Sequence, residues 1–457
     1  MTTARRQGTA NGSQPDDAWD GQPPCEAELD PTAADADEGE AAEAEVEPVA
    51  APAPLLELSD GLPAVVESAA ALSAVVEAFG AGGGPVAVDA ERASGYRYSQ
   101  RAYLVQLRRP GVGTAIIDPV FLGEVPNRGL APLAAAIGAE EWVIHAASQD
   151  LPCLAELGLR PARIFDTELA GRLLNYPRVG LAVLVEELLG YRMRKEHSAV
   201  DWSRRPLPEP WLLYAALDVE VLVELRDVLA DQLVVAGKDE WARQEFAAWA
   251  TAGPPPARID PWRRTSGMHR VRGRRGLAYV RALWETRDEL ARGRDVTPSR
   301  ILTDAAIVET AQAAPESRNA LAKLSGFSTR GGQRYLRNFY AAVLAARRLG
   351  DKELPPLSPR YDGPPPPRSW AAKHPVSAAR LSRCRAAVIE LAGAHALPQE
   401  NLVAPDVVRR LAWQPPEPGG AAEVSRRMQE LGARPWQREL TAEALASALV
   451  DPPARSL

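Results

Sequence analysis

Four carboxylates and one phenol stand out in this chain for where they fall along it. The stretch "VAVDAER", residues 86–92, carries Asp89 and Glu91 inside an otherwise apolar run. On a strand, alternate side chains share a face, so the two carboxylates point the same way and repel each other. Asp150 follows the apolar run "EWVIHA", in what reads as the first turn of a helix. Tyr214 and Asp218, in "YAALD", are four residues apart, which on a helix puts phenol and carboxylate on one face. This set suits phosphodiester hydrolysis by two divalent cations ~3.5–4 Å apart, which activate water and stabilise the attacking and leaving oxygens. Hard oxygen ligands favour Mg²⁺ or Mn²⁺ over zinc. A tyrosine beside them can orient the attacking water. Taken singly, each residue has an ordinary explanation: Asp150 as a helix N-terminal acid, Asp218 as a solvated helix acid, Tyr214 as core packing. Taken in order and in these contexts, they read as one site.

The elements that must position them follow from hydropathy patterning. Between residues 55 and 235 the pattern is α/β. "AALSAVVEAFG" predicts a helix ended by "GAGGGP". "PVAVDAE", "AYLVQLR" and "TAIIDP" predict successive strands, with "RRPGVG" as the hairpin turn between the second and third. "LAPLAAAIG" predicts a helix and "EWVIHA" a fourth strand. Helices are expected at "SQDLPCLAELG", "TELAGRLLNYP" and "GLAVLVEELLG", and one long helix over "EPWLLYAALDVEVLVELRDVLADQLV". Residues 236–275 read as a linker with a basic cluster: a helical stretch around "KDEWARQEFAAWA", then a Pro-rich and finally a strongly basic run. Residues 276–350 are all-helical, 351–374 form a proline-rich linker, and 375–457 are helical again. "LARGRDVTPSRILTDAAIVETAQAAP" and "LAGAHALPQENLVAPDVVRRLAWQPP" share an order of helix, proline, short helix, helix, proline, which reads as a degenerate internal repeat.

The net charge of −7 is unevenly spread. Residues 1–54 hold 13 acidic and two basic residues, and the remaining 47 acidic and 51 basic residues leave +4. The body is therefore mildly basic, which permits a nucleic-acid partner. Residues 1–54 have almost no large apolar side chains and are expected to be disordered. Cys25, Cys153 and Cys384 lie far apart and form no C-x-x-C pair, which fits a reducing cytosol. The start lacks the apolar run of a signal peptide, and no stretch approaches the ~20 apolar residues of a membrane span. A cytoplasmic protein is expected, with no membrane partner and no pattern that specifies an oligomer.

With these motifs in place, the chain resembles the DEDD superfamily of 3′–5′ exonucleases in its tyrosine-bearing subgroup, and more closely the ribonuclease D family. "VDAE", "HAASQD" and "YAALDV" are similar to that family's three exonuclease motifs, and "IFDTELAGRLLNYPRVGLAVLVEELLG" and "DWSRRPL" to its connecting segments. The helical stretch after them resembles the helicase-and-ribonuclease-D C-terminal (HRDC) domain. The resemblance implies an RNase H-like α/β domain with a mixed five-stranded sheet and flanking helices, followed by two all-α HRDC-like domains. It implies Asp89, Glu91, Asp150 and Asp218 as metal ligands and Tyr214 as the residue that positions, and helps deprotonate, the attacking water. It further implies release of 5′-mononucleotides from RNA with a single-stranded 3′ end, tRNA precursors among them. "PLPEPW" departs from the family pattern before the tyrosine. Proline is tolerated at a helix start, so the Tyr214–Asp218 pair is expected to survive a small shift.

Secondary candidates surround this set. His145, Gln106, Tyr98, Arg101 and Arg205 are placed as RNA contacts, with fixing the strand-to-helix turn the alternative for His145. Arg204 pairs with Arg205 as a phosphate contact or a solvated surface pair. Asp166 and Thr167 read as a helix N-cap, and Trp202 as core. Arg263, Arg264, Arg270, Arg272, Arg274 and Arg275 form a basic cluster that can meet phosphates, bind the acidic tail or be solvated. "SGFSTRGGQRYL" offers a glycine- and arginine-bearing loop that can approach a nucleic-acid backbone. Two rival functions stay open: the same acids serve exonucleases that act on DNA, and a nucleic-acid-binding scaffold can carry the fold without activity.

Overall fold

The apolar runs read as strands pair into one mixed sheet. In the computed structural model, which describes residues 52–122, 129–194, 199–253, 257–358 and 363–450, the strands are β1 (Val65–Val66), β2 (Val86–Arg92), β3 (Ala102–Arg109), β4 (Gly113–Ile117), β5 (Glu141–Ile144) and β6 (Arg163–Asp166). Their order is β1-β4-β3-β2-β5-β6, with β2 central, antiparallel to β3 and parallel to β5. The sheet thus has six strands rather than five. The extra one is β1, whose two residues pair with Ile116 and Ile117 of β4 and are too few to show any alternation in sequence. The expected disorder of residues 1–54 falls almost wholly outside the described residues.

The helices of this part are α1 (Ala69–Ala81), α2 (Ala131–Ile137), α3 (Ala147–Glu156), α4 (Thr167–Leu173), α5 (Leu181–Leu189), α6 (Glu209–Glu220), α7 (Leu222–Val235) and α8 (Asp239–Ala250). The single long helix expected across residues 209–234 breaks at Val221, whose ψ of 10° leaves the helical range. The break lets α6 cross β2, β3 and β4 while α7 packs on β2 and β5. Wholly buried Ala215 and Ala216 bring α6 down onto Leu104 and Ile116 of the sheet, beside Trp202. Trp202 is core, as read from sequence. Buried on both faces, β2 begins as a continuous apolar run before its carboxylates appear.

A helical module follows: α9 (Gly273–Arg294), α10 (Pro298–Ile301), α11 (Asp304–Ala313), α12 (Arg318–Ala322), α13 (Arg330–Arg334) and α14 (Leu336–Arg348). It belongs with the sheet to one compact unit, Ala53–Asp362. The stretch 236–275 is not simply a linker. Phe246 of α8 stacks on Phe165 of β6, with ring centroids 4.8 Å apart, and Trp262 is buried in the core of the helical module. The basic cluster is also largely spoken for. Arg274 donates to the carbonyls of Asp351, Leu354 and Pro355, Arg275 to those of Ala346, Arg347 and Leu349, and Arg263 to Asp260 and to the Pro356 carbonyl. These guanidiniums satisfy the orphan carbonyls at the end of α14 and bind the chain beyond it. Arg264, Arg270 and Arg272 are exposed. In "SGFSTRGGQRYL" the glycines serve packing. A Cβ at Gly326 would lie 2.1 Å from that of Ala306, and one at Gly332 only 2.3 Å from the Gly326 carbonyl oxygen.

A separate unit begins at Gly363 and contains α15 (Trp370–Lys373), α16 (Pro375–Ala394), α17 (Gln399–Leu402), α18 (Pro405–Trp413), α19 (Ala421–Glu430) and α20 (Pro435–Leu449). Its α16–α17–α18 run repeats the long helix, single turn and medium helix of α9–α10–α11, and each long helix is followed by a non-glycine residue at positive φ, Asp295 and Ala396. This is the repeat read from the sequence. Among the described residues no helix is long and apolar enough to cross a membrane.

Candidate active site

Asp89 and Glu91 sit at the end of β2 where its pairing with β3 becomes irregular. Glu91 pairs with Leu104 and Arg92 with Ala102, a bulge that re-aims the strand end. Asp218 arrives from α6, which starts at Glu209 with Pro210 in its first turn, so the departure in "PLPEPW" leaves the helix intact. Carboxylate oxygens of Asp89, Glu91 and Asp218 all lie within 4.8 Å of one another. The Tyr214 phenol, one turn before Asp218, hydrogen-bonds to its carboxylate. Asp150 lies in the first turn of α3 and is buried. It stands outside the tight trio, with an oxygen 3.9 Å from Nε of Arg92.

The electrostatics tie all four acids together. Burial pushes Asp89 up to about 6, against the pull of the Ala90 backbone N–H and of Arg92. Burial and then the charges of Asp89, Asp218 and Asp150 hold Glu91 well above the usual carboxylate range. Asp150 and Asp218 are raised in the same way, by burial and then by Asp89. Burial and the neighbouring carboxylates also raise Tyr214, which keeps its proton. Like charges gathered from a strand and two helices, half-buried at Asp89, Glu91 and Asp218 and buried at Asp150, repel one another until protons or cations join them. Its all-oxygen donor set fits hard divalent ions.

Asp166 supports this arrangement from behind. Its carboxylate, 3% exposed, accepts from the backbone N–H groups of Glu168 and Leu169, which caps α4 as the sequence predicts. It also accepts from Ala146 and Ala147 at 3.1 and 2.9 Å, and so holds the start of α3 as well. Ala146 is there in the left-handed region at φ 59°. One carboxylate therefore fixes the turn that aims Asp150.

The secondary candidates are mostly drawn elsewhere. His145 Nδ1 lies 2.9 Å from Thr167 Oγ1, and burial lowers its pKa to about 4, so a neutral ring fixes the strand-to-helix turn. The Tyr98 hydroxyl donates to Asp288 of α9 at 2.9 Å and is contacted by Arg292. Beside it, Ser99 N–H and the Tyr103 hydroxyl donate to Asp295, and the Arg101 guanidinium lies 4.7 Å from the Tyr103 ring centre. Tyr98 and Arg101 thus belong to the seam between the sheet and the helical module, not to an open RNA path. Arg205 gives its donors to Asp118 and to the carbonyls of Trp202, Arg204 and Tyr103. Gln106 is 0% exposed, so RNA cannot reach it. Sequence reasoning missed Arg92 and Arg194. Arg92 follows Glu91 directly and was legible as the last letter of "VAVDAER". Arg194 lines a small groove with Met193, Pro210, Leu213 and Leu217 that opens at Tyr214 and Asp218; only the fold brings it there.

Comparison with known proteins identifies the family of the chain. A family model described as 3′-5′ exonuclease matches residues 63–234, one described as HRDC domain matches 276–343, and one described as 3′ to 5′ exonuclease C-terminal domain matches 363–449. Ribonuclease D of Gluconacetobacter diazotrophicus is 33% identical over 289 residues, 62% of this chain and 71% of that protein. A crystal structure of a protein from Bifidobacterium adolescentis is 35% identical with a TM-score of 0.78, covering 87% of this chain and 99% of that one. RNase D of Escherichia coli, at 24% identity and a TM-score of 0.63 over 84% of this chain and 98% of that one, shares the fold.

Proposed function

This chain belongs to the ribonuclease D family and is a 3′–5′ exoribonuclease, and on that premise we propose that it trims single-stranded RNA 3′ ends, those of tRNA precursors among them, one 5′-mononucleotide at a time. The observation that carries the site assignment is the convergence of Asp89, Glu91 and Asp218 within 4.8 Å, with Asp150 joined to them electrostatically. These four residues would hold two divalent cations, Mg²⁺ or Mn²⁺. When bound, such ions supply Lewis acidity and charge neutralisation for phosphodiester hydrolysis. Tyr214, held through its bond to Asp218, orients the attacking water. The small groove beside α6, lined by Arg194, Leu213 and Leu217, opens at Tyr214 and Asp218 and is where the RNA end would approach the acids. The C-terminal unit is a second HRDC-like domain by its repeated helix order.

The test is incubation of the full chain with labelled single-stranded RNA and with its DNA counterpart, in Mg²⁺ or Mn²⁺ and then in EDTA. Mononucleotide release from RNA, stopped by EDTA and abolished in Asp89→Asn, is expected. Release from DNA alone would replace the RNA assignment with a DNA one. No release from either strand would remove the catalytic reading of the four acids.

A further inference from the structure

Gln106 is wholly buried, yet neither its amide nitrogen nor its amide oxygen has a hydrogen-bond partner. Among the described residues it is the one side chain with two such orphaned atoms. A buried amide left unmade typically costs about 1–3 kcal/mol, and an apolar side chain of similar shape would avoid that. Its place on the sheet says what the amide is kept for. Gln106 of β3 lies directly opposite Asp89 of β2 in an antiparallel ladder, so the two side chains stand on the same face as neighbours. Its other cross-strand partner, Ile116, packs against Ala215 and Ala216 of α6, which places that face under the helix carrying Tyr214 and Asp218.

We propose that Gln106 is a positioning residue for Asp89: its amide N–H donates to the Asp89 carboxylate when that group turns to hold a cation. The proposal rests on the reading that the four acids bind divalent ions. Ligating carboxylates are generally themselves hydrogen-bonded, and loss of such a partner weakens metal affinity about 10–100-fold. Asp89 interacts with the Ala90 backbone N–H and with Arg92, which leaves the Gln106 amide without a partner. The rival acceptor is Oε2 of Glu220, also buried and unpaired, at the far end of α6.

The two are separated by Mn²⁺ titration calorimetry and metal-free thermal melting of the full chain, as wild type, Gln106→Met and, as a second apolar shape, Gln106→Leu. The expected result is a Mn²⁺ dissociation constant raised about 10–100-fold, with the metal-free melting temperature unchanged or higher. In an Asp89→Asn background, Gln106→Met should then weaken Mn²⁺ binding no further. Unchanged Mn²⁺ affinity in both apolar variants overturns the proposal. So does a lowered metal-free melting temperature without a change in affinity, the signature of a bond to Glu220. A wild-type chain that binds no Mn²⁺ removes the cation site itself, and this inference with it.

Discussion

Replacing Asp166 by Ala isolates what a buried carboxylate remote from the reacting atoms contributes to catalysis. The change strips an acceptor from four backbone N–H groups, at Ala146, Ala147, Glu168 and Leu169. Loss of the α4 cap is worth about 1 kcal/mol, and the two buried N–H groups at the start of α3 about 1–3 kcal/mol each, or roughly 3–7 in all. Part of this is returned, because burial raises the Asp166 carboxyl to about 6 and alanine leaves no such charge to desolvate. Stability is therefore a blunt readout. Activity is the sharper one. Without its anchor, Ala146 has no reason to stay at φ 59°, which disfavours a non-glycine residue by about 1–2 kcal/mol. The turn relaxes and Asp150, four residues on, moves. A misplacement of about 1 Å lowers turnover about 10²-fold. Steady-state RNA hydrolysis should show that fall in kcat. Glycine takes up positive φ freely, so Ala146→Gly added to Asp166→Ala should recover part of it. Turnover within twofold of wild type in Asp166→Ala would refute the reasoning, as would a double variant no better than the single.

Three further outcomes follow from the same geometry. Tyr214→Phe removes the hydroxyl but not the ring, so kcat should fall about 10²-fold or more while Mn²⁺ affinity by calorimetry stays within about threefold; unchanged turnover would remove the tyrosine from the mechanism. Glu91, Asp150 and Asp218 are all raised well above their usual values, so the folded chain binds more protons than the unfolded one. Metal-free stability should therefore fall as the pH rises above 6.5, beyond the opposing contribution of His145, whose pKa is lowered from 6.5 to about 4; saturating Mn²⁺ should abolish the slope, and a melting temperature that rises with pH there would contradict it. Arg274→Ala should destabilise the chain by about 2–3 kcal/mol, since it removes charged donors to Asp351, Leu354 and Pro355, whereas exposed Arg272→Ala should not; equal effects on melting would return the basic cluster to the solvent.

The acids were legible in the sequence because their contexts differ in kind. Charges inside an apolar strand, an acid at a strand-to-helix turn, and a phenol one helical turn from a carboxylate each leave a local trace. Four of the six strands were legible for the same reason; β1, of two residues, and β6, of four, are too short to show a period. What no local trace reveals is the partner a long side chain will find. Tyr98, read as an RNA contact, is bonded to Asp288, 190 residues away. Arg205 looked like half of a basic pair and is bonded to Asp118 and to the Tyr103 carbonyl. The break at Val221 was equally hidden, because the apolar face of α6 passes into that of α7 without a change of period.

Guanidiniums make the sharpest version of this point. A run of arginines reads in sequence as phosphate affinity, yet five donors in a fixed fork also suit the bare carbonyls at a helix end. Arg274 and Arg275 take that second use, at the end of α14 and just beyond it. The mildly basic charge of the body is therefore not a measure of its RNA-binding surface. Arg194, by contrast, is exposed and lines the groove that opens at Tyr214 and Asp218. Arg92 cannot be counted with it without qualification, because it already shares its charge with Asp150. Cation binding by the four acids would relieve that tie, so the charge offered to an incoming phosphate depends on the site being filled first.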